Sequence, residues 1–392
     1  MKTTKLIFGA AVLAWAAQAQ AQNLPVFKIG VVTASTGAAS TIAAPANAAI
    51  ELYREQLAAQ KDLPFKIEFI HYDDASDPTK SVNNVRKLIQ EDGAAMIVCC
   101  TTTPSSIAVA KVAEDGKTTA ISMSASAAVV EPAAEKRFMF KTPITERLMI
   151  NHTLDYMAKQ GIKTVSFLGL EDAYGEGGWV EMKALAEKKG IKIVSSERFA
   201  RADTNFTPQA LKTLQAKPDA VYIHAIPPSA SLVHEALKRV GYRGPIYHGA
   251  GAPTAAFITI GKSAVEGAIV GATPITVYKE LGADNPLSKS IGDFVKAYDG
   301  KYGAGKAEIF ATQGYDAVGL AVDAIKRYVA SGKKATNLAE TRQGLRDELE
   351  KTREYAGSVG IFNFTPTDHV GLDERTLFLV QVKDGQFRMI KE

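Results

Sequence analysis

The chain has 392 residues, 46% of them hydrophobic and 22% charged, with a formal net charge of +4. That is ordinary globular composition with enough apolar side chain for roughly two domains. The small net charge, with basic residues in scattered pairs such as Lys188-Lys189 and Lys333-Lys334, excludes the concentrated basic surface that nucleic-acid binding requires.

In chain order, Lys2 and Lys5 precede an apolar run from Leu6 to Ala17, and Ala19-Gln20-Ala21 places small residues at both positions of a signal-peptidase site. The expectation is a leader of residues 1–21, cleaved after Ala21, with a mature chain that begins at Gln22 and is exported to a bacterial periplasm. No Cys stands at the cleavage point, so no lipid anchor is expected there. No later apolar run reaches the roughly 18 residues a spanning helix needs, so no membrane insertion of the mature chain is expected.

Val26 to Val32 reads as a strand, the loop TASTGAA leads into a helix from about Ala44 to Gln60, and Pro64 to Tyr72 reads as a second strand. Asp73, Asp74 and Asp77 with Pro78 fit turn and helix-cap chemistry ahead of a helix from about Thr79 to Asp92, better than a metal site. The third unit, AAMIVCCTTTPSSIAVA, organises the rest: a buried strand from Ala95 to Cys100, a polar elbow, and a helix after Pro104. Helix N-termini carry unpaired N–H groups and partial positive charge, so an elbow holding Thr101, Thr102, Thr103, Ser105 and Ser106 can receive a carboxylate or phosphate without a cation. The alternative is that these hydroxyls only cap the helix. Cys99 and Cys100 are adjacent, and the separation a disulfide demands leads us to expect two buried thiols rather than a bridge.

A fourth strand runs from Thr118 to Ser122, and a second cycle opens near Asn151. It consists of a helix Asn151 to Gln160, a strand Thr164 to Leu168, the loop EDAYGEGG, a helix Gly178 to Lys189 and a strand Ile191 to Ser195. A helix Pro208 to Ala216, a strand Ala220 to His224, a helix Ala230 to Val240 and a strand Pro245 to His248 follow. Such alternation predicts an α/β chain of two lobes with parallel sheets, and a cleft at the carboxyl ends of the strands. No G-x-S-x-G, H-E-x-x-H or G-x-G-x-x-G stretch occurs, and GKYGAGKA (Gly300 to Ala307) lacks the Ser or Thr of a phosphate loop. His224 and His248 end two strands and are the candidates for a base. An exported two-lobe chain without a catalytic motif reads as a binder rather than an enzyme, with no cofactor and no metal.

TASTGA, YDDASDP, the elbow followed by VAEDG, ISMSASA, YGEG at Tyr174 to Gly177 and ATQGYDA at Ala311 to Ala317 resemble, in order and spacing, the leucine/isoleucine/valine-binding family of type I periplasmic binding proteins of ABC transporters. The resemblance implies two Rossmann-like lobes joined by three crossovers, near Pro143, Thr273 and Ser358. The lobes would be 26–143 plus 273–357 and 144–272 plus 358–392. It also implies a small solute caught by hinge closure and delivered to an inner-membrane permease.

Carried over by position, the family's carboxylate-binding residues fall on Thr102, Thr103, Ser124 and Ser126, its closing aromatic on Tyr174, and its first-lobe aromatic on Phe310. Its ammonium-pairing acid falls on Ala250, and two tyrosines become Ile42 and Ile226. Losing the charged partner of a buried ammonium is costly. The ligand implied is therefore an amine-free aromatic or short aliphatic acid, with His224, His248 or Tyr222 at its far end. The alternatives are a branched-chain or other amino acid with Glu171 or Asp172 replacing the lost acid, and a ligand-sensing receptor rather than a transporter.

Overall fold

The computed structural model describes residues 24–391, so the leader at 1–21 lies outside the described residues. The first lobe is built on a five-stranded sheet, all parallel, in the order β2-β1-β3-β4-β5. The strands are β1 (Val26–Thr33), β2 (Lys66–Asp73), β3 (Met96–Cys99), β4 (Thr119–Ser122) and β5 (Met139–Lys141). β3 and β4 are buried along their whole length, as central parallel strands with helices on both faces must be.

Helices α1 (Ser40–Ala58), α2 (Pro78–Gln90) and α3 (Thr103–Asp115) connect the strands. α1 starts four residues before the expected Ala44 and carries Pro45 inside. Asp77 caps α2 by accepting from the Thr79 N–H at 2.7 Å, while Asp74 is buried and takes the Ser81 hydroxyl at 2.8 Å. Asp73 accepts from the Ala75 N–H at 2.8 Å, so all three aspartates serve the turn.

The second lobe has a seven-stranded sheet in the order β14-β13-β10-β9-β8-β6-β7. Its parallel strands are β6 (Thr164–Leu170), β7 (Lys192–Phe199), β8 (Ala220–His224), β9 (Ile246–His248) and β10 (Ile269–Ala272). β13 (Phe378–Lys383) and β14 (Gln386–Met389) close one edge antiparallel. Helices α4 (Glu146–Lys159), α5 (Ala173–Ala186), α6 (Thr207–Gln215), α7 (Ser229–Arg239) and α8 (Ala255–Gly261) belong to this part of the chain. α5 begins five residues earlier than the pattern from Gly178 indicated, because Asp172 caps it through the Tyr174 and Gly175 N–H groups. Tyr174 therefore sits in the first turn of a helix rather than in a loop. β7 also runs four residues past Ser195, which moves the following loop to residues 200–206.

After β10 the chain returns to the first lobe through α9 (Ser288–Tyr302), α10 (Ile309–Ala330) and α11 (Leu338–Glu350). The hairpin β11 (Tyr355–Ala356) and β12 (Ile361–Phe362) follows. The third crossing lies later than Ser358. Val359, Phe362, Phe364, Val370 and Leu372 pack in the first lobe's core, and His369 stacks on Phe140 with ring centroids 4.0 Å apart. The apolar spacing from 359 to 372 anchors that stretch in the first lobe, so the passage to the second sheet falls between Leu372 and β13. Asp316 on α10 secures the same stretch, accepting from the N–H groups of Ser358 (2.8 Å) and Val359 (2.7 Å) and from the Ser358 hydroxyl (2.8 Å).

Cys99 and Cys100 are joined by a disulfide, and both are fully buried at the end of β3. This corrects the expectation of two thiols. The backbone there brings adjacent sulfurs together, which spacing in sequence alone does not reveal.

Candidate functional site

The carboxyl ends of β1, β3 and β4 from one lobe and of β6, β7, β8 and β9 from the other meet around a narrow cavity, about 70 Å³ of it open to the centre of a water molecule. That is space for several waters or a small organic solute. The first lobe contributes Ile42 from α1, Thr101, Thr102 and Thr103 from the elbow, Met123, Ser124, and Phe310 from α10. The second contributes Tyr174, Arg201, Tyr222, His224, Ile226, Ala250 and Gly251. The crossover segments add Glu146, Met149 and Thr273.

Eleven sequence-derived candidates line this cavity: Ile42, Thr101, Thr102, Thr103, Ser124, Tyr174, Tyr222, His224, Ile226, Ala250 and Phe310. Ser126 and His248 do not. Ser126 faces a neighbouring shallow depression, where its oxygen accepts from the Ala128 N–H at 3.3 Å. His248 is fully buried behind the cavity, its Nε2 2.9 Å from Nδ1 of His234 with the two rings stacked. The strand-end position of His248 and the helix that carries His234 were both legible, but not the contact between the two rings.

The elbow divides its hydroxyls between two tasks. Thr102 caps α3 at the Ser105 N–H (3.4 Å), and Thr101 accepts from the Ala34 N–H at 3.2 Å. Ser105 bonds the Ser81 hydroxyl at 2.8 Å, while Ser106 joins a cluster with Ser122 (2.8 Å) and Ser124 (2.9 Å). Three threonines thus face the cavity, and two serines fasten the helix to its neighbours.

The second-lobe wall is aromatic. The Tyr174 ring lies 4.2 Å from that of His224, which continues toward Tyr222 and Phe167 at 6.1 and 6.3 Å. Burial lowers the pKa of His224 to about 4, so the ring is neutral at physiological pH, and both its nitrogens and the Tyr222 hydroxyl are buried without a hydrogen-bond partner. Burial raises the Tyr174 and Tyr222 phenols, which stay protonated.

Two charged residues were missed in the sequence. Arg201 follows β7 in a loop that the expected end of that strand at Ser195 left without context, and it ion-pairs with Asp172 at 2.7 Å. Glu146 opens α4, where it is buried and accepts from the Ala127 N–H at 2.9 Å, with its pKa raised by burial. Neither Glu171 nor Asp172 reaches the cavity wall: Glu171 is exposed, and Asp172 is engaged by Arg201 and the start of α5.

Residues 26–386 match the family described as periplasmic binding protein. The chain is a type I periplasmic binding protein of the leucine-binding family. This periplasmic binding protein is 24% identical to the leucine-, isoleucine-, valine-, threonine- and alanine-binding protein of Pseudomonas aeruginosa over 318 residues, 79% of this chain and 75% of the relative. An extracellular ligand-binding receptor from Rhodopseudomonas palustris HaA2 is 33% identical, with a TM-score of 0.86 over 93% of this chain and 99% of that one. A branched-chain amino acid transporter substrate binding protein from Streptococcus pneumoniae, solved with isoleucine, shares the fold at 18% identity and a TM-score of 0.77, over 94% of this chain and 100% of that one. Members of the family are substrate-binding proteins, and no described helix of this one is long and apolar enough to cross a membrane.

Proposed function

We propose that this protein is the extracytoplasmic solute-binding component of an ABC importer of the branched-chain amino-acid type. It captures a small carboxylate-bearing solute between its lobes and presents it to a membrane permease. The observation that carries this reading is the cavity itself. Apolar and aromatic walls select on size, while the threonine elbow at the start of α3 supplies donors for an anion. A solute touching both lobes binds the closed arrangement better than the open one, and that difference is what drives closure.

The relatives' names favour an α-amino acid as the solute. In that reading Glu146, the carboxylate on the cavity wall, takes the ammonium that Ala250 cannot. A second reading, an amine-free aromatic or short aliphatic acid, is favoured by Ala250 and by the commitment of Glu146 to the Ala127 N–H.

A thermal-shift screen of the mature chain from Gln22, against neutral amino acids and amine-free acids of matched size, separates the two. A micromolar solute at millimolar concentration stabilises by about 4 kcal/mol. Stabilisation by leucine or isoleucine supports the amino-acid reading, and stabilisation confined to the amine-free panel supports the second. A protein indifferent to both panels is not a carrier of this kind.

A further inference from the structure

Arg201 is a cation held in place with one face unused. Asp172 Oδ2 accepts from its Nε at 2.7 Å and stands 2.7 Å from its Nη2 in the same ion pair. The other Asp172 oxygen is fixed by the first N–H groups of α5, so the guanidinium is oriented by a carboxylate that a helix itself orients. Nη1, the nitrogen that Asp172 does not take, is buried with no hydrogen-bond partner in a residue that lines the cavity. An unpaired buried N–H is unfavourable, and a guanidinium favours a planar, charged acceptor. α3, which starts at the threonine elbow, packs against α5, whose cap holds Arg201, so both anion-favouring features stand on facing helices of opposite lobes.

We infer that Arg201 is the specificity-determining cation of the cavity, pairing through Nη1 with the carboxylate of the solute while the threonine elbow engages the same group from the other lobe. This rests on the reading that the cavity takes a small carboxylate solute. The carboxylate then bridges the cleft, and the anionic form of an acid is chosen over its neutral analogues.

The test is calorimetric titration of the mature wild type, Arg201→Gln and Arg201→Lys. The probes are leucine, phenylalanine, 4-methylpentanoate, 3-phenylpropanoate and the primary amide of each. Any acid that binds wild type should bind Arg201→Gln at least about tenfold more weakly, with its advantage over the amide shrinking by the same factor. Arg201→Lys should recover part of the loss, since it restores the charge without the fork. Ligand-free melting temperatures of the variants report folding. If Arg201→Gln does not fold, the acid-to-amide ratio on wild type decides, and equal affinities overturn the inference. Acid binding by a folded Arg201→Gln within about threefold of wild type also overturns it, and leaves the carboxylate-carrier reading standing. Failure of every acid to bind wild type overturns that reading and this inference together.

Discussion

Arg201 meets Asp172 in an ion pair in which one carboxylate oxygen accepts from Nε and stands 2.7 Å from both Nε and Nη2, while the other oxygen caps α5. One side chain thus starts a helix and aims a cation into the cleft.

Asp172→Asn keeps an acceptor for the cap but removes the charge that fixes the guanidinium. Stability should fall by about 1 kcal/mol, in the range for a weakened cap. Binding should weaken more than that through the loosened arginine. Chemical denaturation and titration calorimetry on the same preparation measure the two effects separately.

Gly178 lies under His224. A Cβ there would stand 2.6 Å from Cγ of the ring, and the ring is already stacked on Tyr174. Gly178→Ala should destabilise by about 1–3 kcal/mol through overpacking and displace the cavity wall. The check is a lower melting temperature accompanied by weaker solute binding.

His224 makes stability depend on pH. The ring is neutral when folded, with a pKa of about 4, whereas in the unfolded chain it takes a proton below about 6.5. The unfolded state therefore binds more protons in that window, and stability falls as pH drops from 6.5 toward 4. Asp316 opposes this, since burial raises it to about 6 and its protonation favours the folded chain as pH falls. The two are separated by His224→Gln, which should remove a slope of about 1.4 kcal/mol per pH unit between pH 6 and 4.5. Identical slopes for wild type and variant would show that the ring is protonated in the fold.

Asp316→Ala removes the acceptor of three hydrogen bonds that hold residues 358 and 359 against α10. Leaving buried donors unpaired costs about 1–3 kcal/mol each, so a loss of at least about 3 kcal/mol is expected. Because Ser358 precedes the stretch that leads to the last crossover, amide exchange along 358–372 should rise first.

Much of the fold was legible because parallel α/β units write themselves as short apolar runs alternating with helical periodicity. Ala220 to His224 coincides with β8, and the elbow from Thr101 lies between β3 and α3 as its composition indicated. Errors arose where tertiary packing overrode local pattern. Pro45 sits inside α1, and the stretch after Ser358 belongs to the first lobe because His369 and Phe364 pack on Phe140. Within the site, positions carried by strand ends and helix starts were within reach. Arg201 was not, because a single arginine in a loop has no periodicity and its meaning comes from Asp172, 29 residues earlier in the chain. Glu146 likewise escaped notice, because it precedes the helix expected from Asn151, whereas the folded helix opens on it and buries it.

The most direct measurement is titration calorimetry of the mature chain beside Ala250→Trp, in which an indole would fill the cavity. Leucine, 4-methylpentanoate, phenylalanine and 3-phenylpropanoate serve as titrants. The account predicts that wild type binds at least one of these acids one-to-one, and that Ala250→Trp, still folded, loses about a hundredfold or more in affinity. No binding to wild type, or equal binding to a folded Ala250→Trp, would contradict it.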